Sequence, residues 1–369
     1  MFPKRQVTTT IMNTEPFNAR AELVRRRILS AVNNTQEINH RRSREDLFPD
    51  VNRVGLGVAV EWESMGEQFV SDALLTRARN LGIELQHIGL TLGTVLRNID
   101  LSDELDTERI ALLHQLLLER KVIFFHDQTL DSKQLIKFAR YFGELDAFPF
   151  SVKGDNPLLL ELEHDEQHPG NQNGWHTDVT WMEKPSLGSV AQCVLVPPVG
   201  GDTLFSDSHA VYRGLAPRLQ DSLQYLAGIN DYRSFLGNAT FKQLPAELIA
   251  EIKSIIPFGV SHPLLRTHPE TNKTGLFLHA GFLRQDSLYD TRTGQAIDEG
   301  ESRKIIAQIV HQHARPEYTC RFTWRKGSVA FWDNRAVQHY ANSDYYPHRR
   351  ILQRVAISGD RPYYRPNAV

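Results

Sequence analysis

Cysteine is nearly missing from this chain of 369 residues: Cys193 and Cys320 are the two it has. Two thiols build neither a disulfide framework nor a thiolate zinc site, and they fit a reducing, cytoplasmic compartment. No sign of charge prevails either, with 42 Lys plus Arg against 44 Asp plus Glu, so a general basic footprint for nucleic acid is lacking. No apolar run approaches the roughly 18 residues of a membrane span. There is no secretory apolar region, internal repeat or low-complexity tract. What is present is a hydrophobic fraction of 41%, enough for a packed core, and 15 histidines. Any one of so many imidazoles is weak evidence for a site, so the question is which have suitable neighbours.

The first 45 residues differ from the rest. They hold nine basic side chains (Lys4, Arg5, Arg20, Arg25, Arg26, Arg27, Arg41, Arg42, Arg44) and four acids, a balance of +5 that leaves −7 for the remainder. Glu15 and Glu22 argue against a transit peptide. Residues 1–80 read as a basic, partly ordered N-terminal extension with a helical arm around Ala21–Val32, the sharper alternative being a docking arm for a partner subunit or an acidic surface. A compact domain spans 81–369. Helical spacing predicts helices over Asp106–Glu119, Asp131–Phe142 and Asp298–His313. Val122–Phe125 suits a buried strand. Short strand-like segments then recur between turn residues: Leu158–Leu162, Gly188–Val196, Thr203–Ser206, Gly275–Leu278, Cys320–Trp324, Ser328–Trp332 and Ile351–Ser358. Many short strands with turn-rich connections predict a mainly β sandwich or barrel with flanking helices, not an alternating βαβ fold.

Two clusters carry chemistry. In Trp175-His176-Thr177-Asp178-Val179-Thr180, His176 and Asp178 are two apart, so an extended backbone turns both to one face. An imidazole beside a carboxylate is half of a metal site, or simply a loop in which Asp178 orients His176. His164 and His168 lie nearby in a polar loop and read as solvated. The second cluster runs from Trp332-Asp333-Asn334-Arg335 through His339 to Arg350 and Arg354. On a strand, Arg350, Leu352 and Arg354 share a face, and two arginines on one buried face each need an anion. The anions are either the chain's own carboxylates or two acidic groups of bound molecules. His176, Asp178 and His339 together make two histidines and a carboxylate, the set used by non-haem Fe(II) oxygenases with open coordination positions. Zinc hydrolases use a similar set, but their helical His-Glu-x-x-His arrangement is missing.

These motifs, with Gly200-Gly201-Asp202-Thr203-Leu204, closely resemble the Fe(II)/2-oxoglutarate-dependent taurine dioxygenase family, over about Ile83 to Pro366. The resemblance implies a double-stranded β-helix (jelly-roll) core, with His176, Asp178 and His339 as iron ligands. It implies that Thr203 and Arg350 hold the distal carboxylate of 2-oxoglutarate, that Arg354 meets an anionic head on the substrate, and that Phe282 lines the substrate pocket. Fe(II), 2-oxoglutarate and O2 would be required, and the chain would be a homo-oligomer, a dimer or a tetramer. The sequence departs from the taurine pattern where Phe148, Ser151 and Gln172 stand at substrate-contacting positions. A phenyl ring in place of an imidazole removes a donor and adds apolar wall, which points away from taurine to a larger or more apolar acid. The expected activity is therefore hydroxylation of an acidic small molecule (sulfonate, sulfate ester or carboxylate) with release of succinate and CO2. The alternatives are a biosynthetic oxygenase that hydroxylates, desaturates or cyclises a natural-product intermediate, and a non-catalytic jelly-roll binding protein.

Overall fold

A computed structural model describes residues 17–33, 53–150, 156–170, 172–237 and 241–366. The basic positions Lys4, Arg5, Arg41, Arg42 and Arg44, and Ser151, lie outside the described residues. The chain divides into two units, Met1–Leu47 and Phe48–Val369. In the first, the described element is a helix at Phe17–Asn33, where a helical arm is expected. The second also contains helices at Arg53–Ser64 and Asp72–Asn80, so the expected boundary near residue 80 falls inside it.

Within that unit the chain first forms β1 (Glu84–His87), β2 (Thr94–Arg97), β3 (Val122–Phe125), β4 (Leu145–Asp146) and β5 (Leu160–His164). Next come β6 (Gly188–Leu195), β7 (Thr203–Asp207), β8 (Leu226–Asn230), β9 (Val260–Pro263), β10 (Leu265–Thr267) and β11 (Thr274–Leu276). The series ends with β12 (Tyr289–Asp290), β13 (Thr319–Phe322), β14 (Val329–Asp333), β15 (Val337–Ala341) and β16 (Arg350–Ile357). The major sheet has the order β1-β2-β3-β14-β6-β16-β4, with β5 also on β16, and a minor sheet runs β13-β7-β15.

Alternation along the strands separates two cores. On β3, β14, β6 and β16, the side chains of Ile123, Phe125, Val329, Phe331, Val190, Val355 and Ile357 meet helices at Thr107–Arg120 and Ser132–Arg140 through Leu112, Leu116, Leu135 and Phe138. The opposite faces, with Phe124, Ala191, Cys193, Trp332 and Leu352, pack on Phe205, Cys320, Phe322 and Val337 of the minor sheet. Two sheets packed through a shared apolar layer form the jelly-roll core expected from the sequence. The helices begin at side-chain caps: Asp106 accepts from the Arg109 amide at 2.7 Å, and Asp131 forms a reciprocal capping box with Gln134. Among the described residues no helix is long and apolar enough to cross a membrane.

Candidate metal centre

The local backbone explains why three distant residues meet. His176 and His339 exchange both main-chain hydrogen bonds, at 3.0 and 2.8 Å, as a single antiparallel bridge. Directly opposed residues put their side chains side by side, and the two imidazole centroids are 4.1 Å apart. Asp178 lies two residues on from His176. Each of the three side chains offers a ligand atom, and these atoms all lie within 4.8 Å of one another. The sequence-predicted triad is thus brought together, and all three residues are buried.

The surrounding contacts orient each ligand. His176 Nδ1 donates to the Gly174 carbonyl at 2.7 Å, which leaves the Nε2 lone pair for a cation. Asp178 Oδ2 accepts from Ser189 Oγ at 3.1 Å and from Asn334 Nδ2 at 3.3 Å. Oδ1 is turned the other way, 3.7 Å from His339 Nε2. Burial pulls the Asp178 carboxyl upward, but Arg354, His339 and His176 outweigh it and hold it below the usual carboxylate range. Burial lowers both imidazoles, that of His339 strongly. A carboxylate flanked by neutral imidazoles is the protonation state a divalent cation binds. The residue after Asp178 is strained: Val179 has φ 46°, a left-handed conformation that a β-branched residue seldom adopts.

The two arginines behave differently. Arg354 donates from Nη1 to Asp178 Oδ1 at 2.6 Å, so it meets one of the chain's own carboxylates. Arg350 is 2% exposed, and its Nε and Nη2 have no hydrogen-bond partner among the described residues. Its guanidinium carbon lies 6.0 Å from the Trp324 ring centroid and 5.6 Å from that of Tyr345. Trp324 Nε1 donates to Thr203 Oγ1 at 2.9 Å, placing Trp324 between the two residues expected to hold 2-oxoglutarate. A buried guanidinium with unspent donors fits a carboxylate ligand.

The expected substrate residues are arranged less uniformly. Phe282 is buried, 5.3 Å from the Phe235 ring, which is 5.6 Å from Phe148. Phe148 also lines a cleft with Leu160, Asp178, Val179, Met182 and Arg354. Gln172 is exposed on the loop leading to His176. Sequence reasoning missed Ser189 and Asn334, which hold Asp178. Ser189 carried a signal, one of two polar side chains, with Gln192, on a largely apolar buried strand. Asn334 sits in the Trp332–Arg335 motif but had no assigned role.

Comparison with known proteins agrees with this geometry. Residues 84–356 match the family model described as "Taurine catabolism dioxygenase TauD, TfdA family". An alkylsulfatase from Acinetobacter baylyi is 30% identical over 283 residues, covering 75% of this chain and 86% of its own. An alpha-ketoglutarate-dependent sulfate ester dioxygenase from Pseudomonas putida is 31% identical over 295 residues, covering 79% and 94% respectively. The crystal structure of a taurine dioxygenase from Burkholderia xenovorans superposes with a TM-score of 0.63 at 30% identity, covering 78% of this chain and 92% of that one. With matched motifs, fold and ligand triad in agreement, the chain belongs to the taurine catabolism dioxygenase TauD, TfdA family.

Proposed function

We propose that the chain is an Fe(II)- and 2-oxoglutarate-dependent dioxygenase that hydroxylates an acidic organic small molecule, a sulfonate, sulfate ester or carboxylate. The observation that carries this reading is the His176–Asp178–His339 triad accompanied by the buried, unpartnered donors of Arg350. Family membership and the sulfate-ester relatives support the same chemistry.

His176 and His339 would hold Fe(II) through Nε2, and Asp178 through Oδ1. Arg350 would hold the distal carboxylate of 2-oxoglutarate, beside Thr203. Once bound, Fe(II) with 2-oxoglutarate and O2 supplies an oxidant able to hydroxylate an unactivated carbon, with succinate and CO2 as co-products. The protein's part is orientation and exclusion of water. Ser189 and Asn334 fix the Asp178 carboxylate, so it need not reorganise when charge arrives. Phe148, Phe235 and Phe282 present an apolar wall near the triad, which favours a substrate with an apolar body. Arg354 is the cation nearest Asp178 and the residue assigned to the substrate's acidic head. Two free, buried cysteines support a reducing, cytoplasmic setting, and the reading extends to a homo-oligomer.

The test is succinate release from protein loaded anaerobically with Fe(II) and then given 2-oxoglutarate, O2 and a panel of octyl sulfate, octanesulfonate and phenoxyacetate. At least one acid should stimulate succinate release, and Asp178→Ala should abolish it. Wild-type turnover in Asp178→Ala would remove the triad from the mechanism.

A further inference from the structure

We propose that His279 is a substrate-positioning residue that donates its Nε2–H to the anionic group of the prime substrate, at the polar end of the Phe148–Phe235–Phe282 wall. This assignment rests on the acidic-substrate reading above. His279 follows β11 and forms an antiparallel bridge with His176, which in turn bridges to His339. Three neighbouring segments therefore set three imidazoles in a row, with centroid separations of 4.8 Å (His279 to His176) and 4.1 Å (His176 to His339). Yet the donor atoms that close to within 4.8 Å belong to His176, Asp178 and His339, and His279 is not among them.

Its own contacts explain why. The Gly281 amide donates to His279 Nδ1 at 3.0 Å, so in the neutral ring the proton resides on Nε2. That tautomer offers a donor where a metal ligand would need a lone pair. The ring is also clamped. Its centroid lies 3.8 Å from that of Phe282, and a Cβ on residue 281 would come within 3.2 Å of Cε1, so glycine there makes room for it. Phe282 continues through Phe235 to Phe148. His279 thus places a fixed, half-buried N–H where that apolar wall reaches the metal ligands. An acid with an apolar body satisfies both surfaces at once, while a small zwitterion leaves the wall uncovered.

The test measures binding of octyl sulfate, octanesulfonate and phenoxyacetate to full-length protein loaded with Mn(II) and N-oxalylglycine, by calorimetry. His279→Phe keeps a flat ring without the donor, and its acid affinity should fall about tenfold or more. Mn(II) and N-oxalylglycine affinities should stay within about twofold, and His279→Gln, which regains an N–H, should recover most of the loss. Equal binding of an acid by wild type and His279→Phe overturns the assignment. So does a loss confined to Mn(II) or N-oxalylglycine affinity. If wild type binds none of the three acids, the acidic-substrate reading itself falls, and this inference with it. Should His279→Phe fail to fold in a thermal scan, His279→Leu takes its place under the same criteria.

Discussion

Arg350 and Arg354 stand four residues apart on one strand, and their surroundings differ: Arg354 meets Asp178, while Nε and Nη2 of Arg350 have no partner among the described residues. Arg350→Ala should raise the apparent KM for 2-oxoglutarate by roughly 30-fold or more, since losing a buried charge-assisted pair costs about 2–5 kcal/mol. Succinate release measured against 2-oxoglutarate concentration checks this, and an unchanged KM would exclude the role. Arg354→Ala should leave that KM alone. Its contact with Asp178 Oδ1 means that metal affinity must be measured alongside acid affinity in that variant. At this scale much was legible. His-x-Asp spacing and the shared strand face of Arg350, Leu352 and Arg354 translate directly into the geometry seen. The position of His279 was not legible, because it depends on a bridge between segments some hundred residues apart in the chain, His176 and His279. His262 and His268, conspicuous in sequence, serve the scaffold instead: His262 Nε2 lies 2.9 Å from the Met182 carbonyl, and His268 Nε2 3.0 Å from Asp333.

The helix Arg53–Ser64 is tied to a buried charge cluster. Its Glu61 is fully buried and lies 2.6 Å from Lys273 Nζ and 3.3 Å from Lys121 Nζ. Lys121 also meets Asp207 at 3.0 Å and the Thr91 carbonyl at 2.6 Å, contacts that hold it in the left-handed conformation (φ 65°) between its helix and β3. Close approach makes the docking possible: a Cβ on Gly57 would stand 2.1 Å from the Ala210 carbonyl oxygen. Glu61→Ala strands buried cations and should lower unfolding free energy by about 3–5 kcal/mol, read as a reduced urea midpoint at unchanged slope. A shift below about 1 kcal/mol would show the cluster to be self-sufficient without Glu61. The sequence signalled the long, periodic elements, with the helices at Thr107–Arg120 and Glu299–His313 close to expectation. It did not signal β15, although that strand carries His339. An inward face of Val337, His339 and Ala341 mixes apolar and polar residues and erases the alternation by which strands are recognised.

The whole molecule keeps many titratable groups uncharged or paired in its interior. Burial holds His209 and His262 down to about 4, and His313 to about 3, from an ordinary value of 6.5. Between those limits the unfolded chain binds protons that the native state refuses, so stability must fall as pH drops from 6.5 toward 4. The loss is about 1.4 kcal/mol per pH unit for each such histidine. Buried carboxylates held low, Glu61 and Asp333 among them, withdraw their stabilisation only at still lower pH. Urea midpoints measured from about pH 7 to about pH 4.5 should decline steadily, and a flat profile would contradict the buried neutral histidines. A mainly β sandwich or barrel was legible at this scale from the many short strands, and the jelly-roll core from the family resemblance. The inclusion of residues 53–80 in the same compact unit was not, since its apolar anchors are few and scattered, Leu56 and Val58 on one helix and Val70, Leu74 and Ala78 around the next, beside a close glycine contact and the buried Glu61.

Val179 has a consequence for how this enzyme can change. Its backbone is bent into an unfavourable conformation next to Asp178, while its side chain is packed among Phe150, Trp181, Tyr232 and Phe282. The aromatic packing thus helps keep the bend, and the bend helps set the direction of the neighbouring Asp178 carboxylate. Under the proposed function, recutting that aromatic surface to admit a different molecule would also disturb the aim of the carboxylate, so new specificity and retained metal binding would have to be selected together.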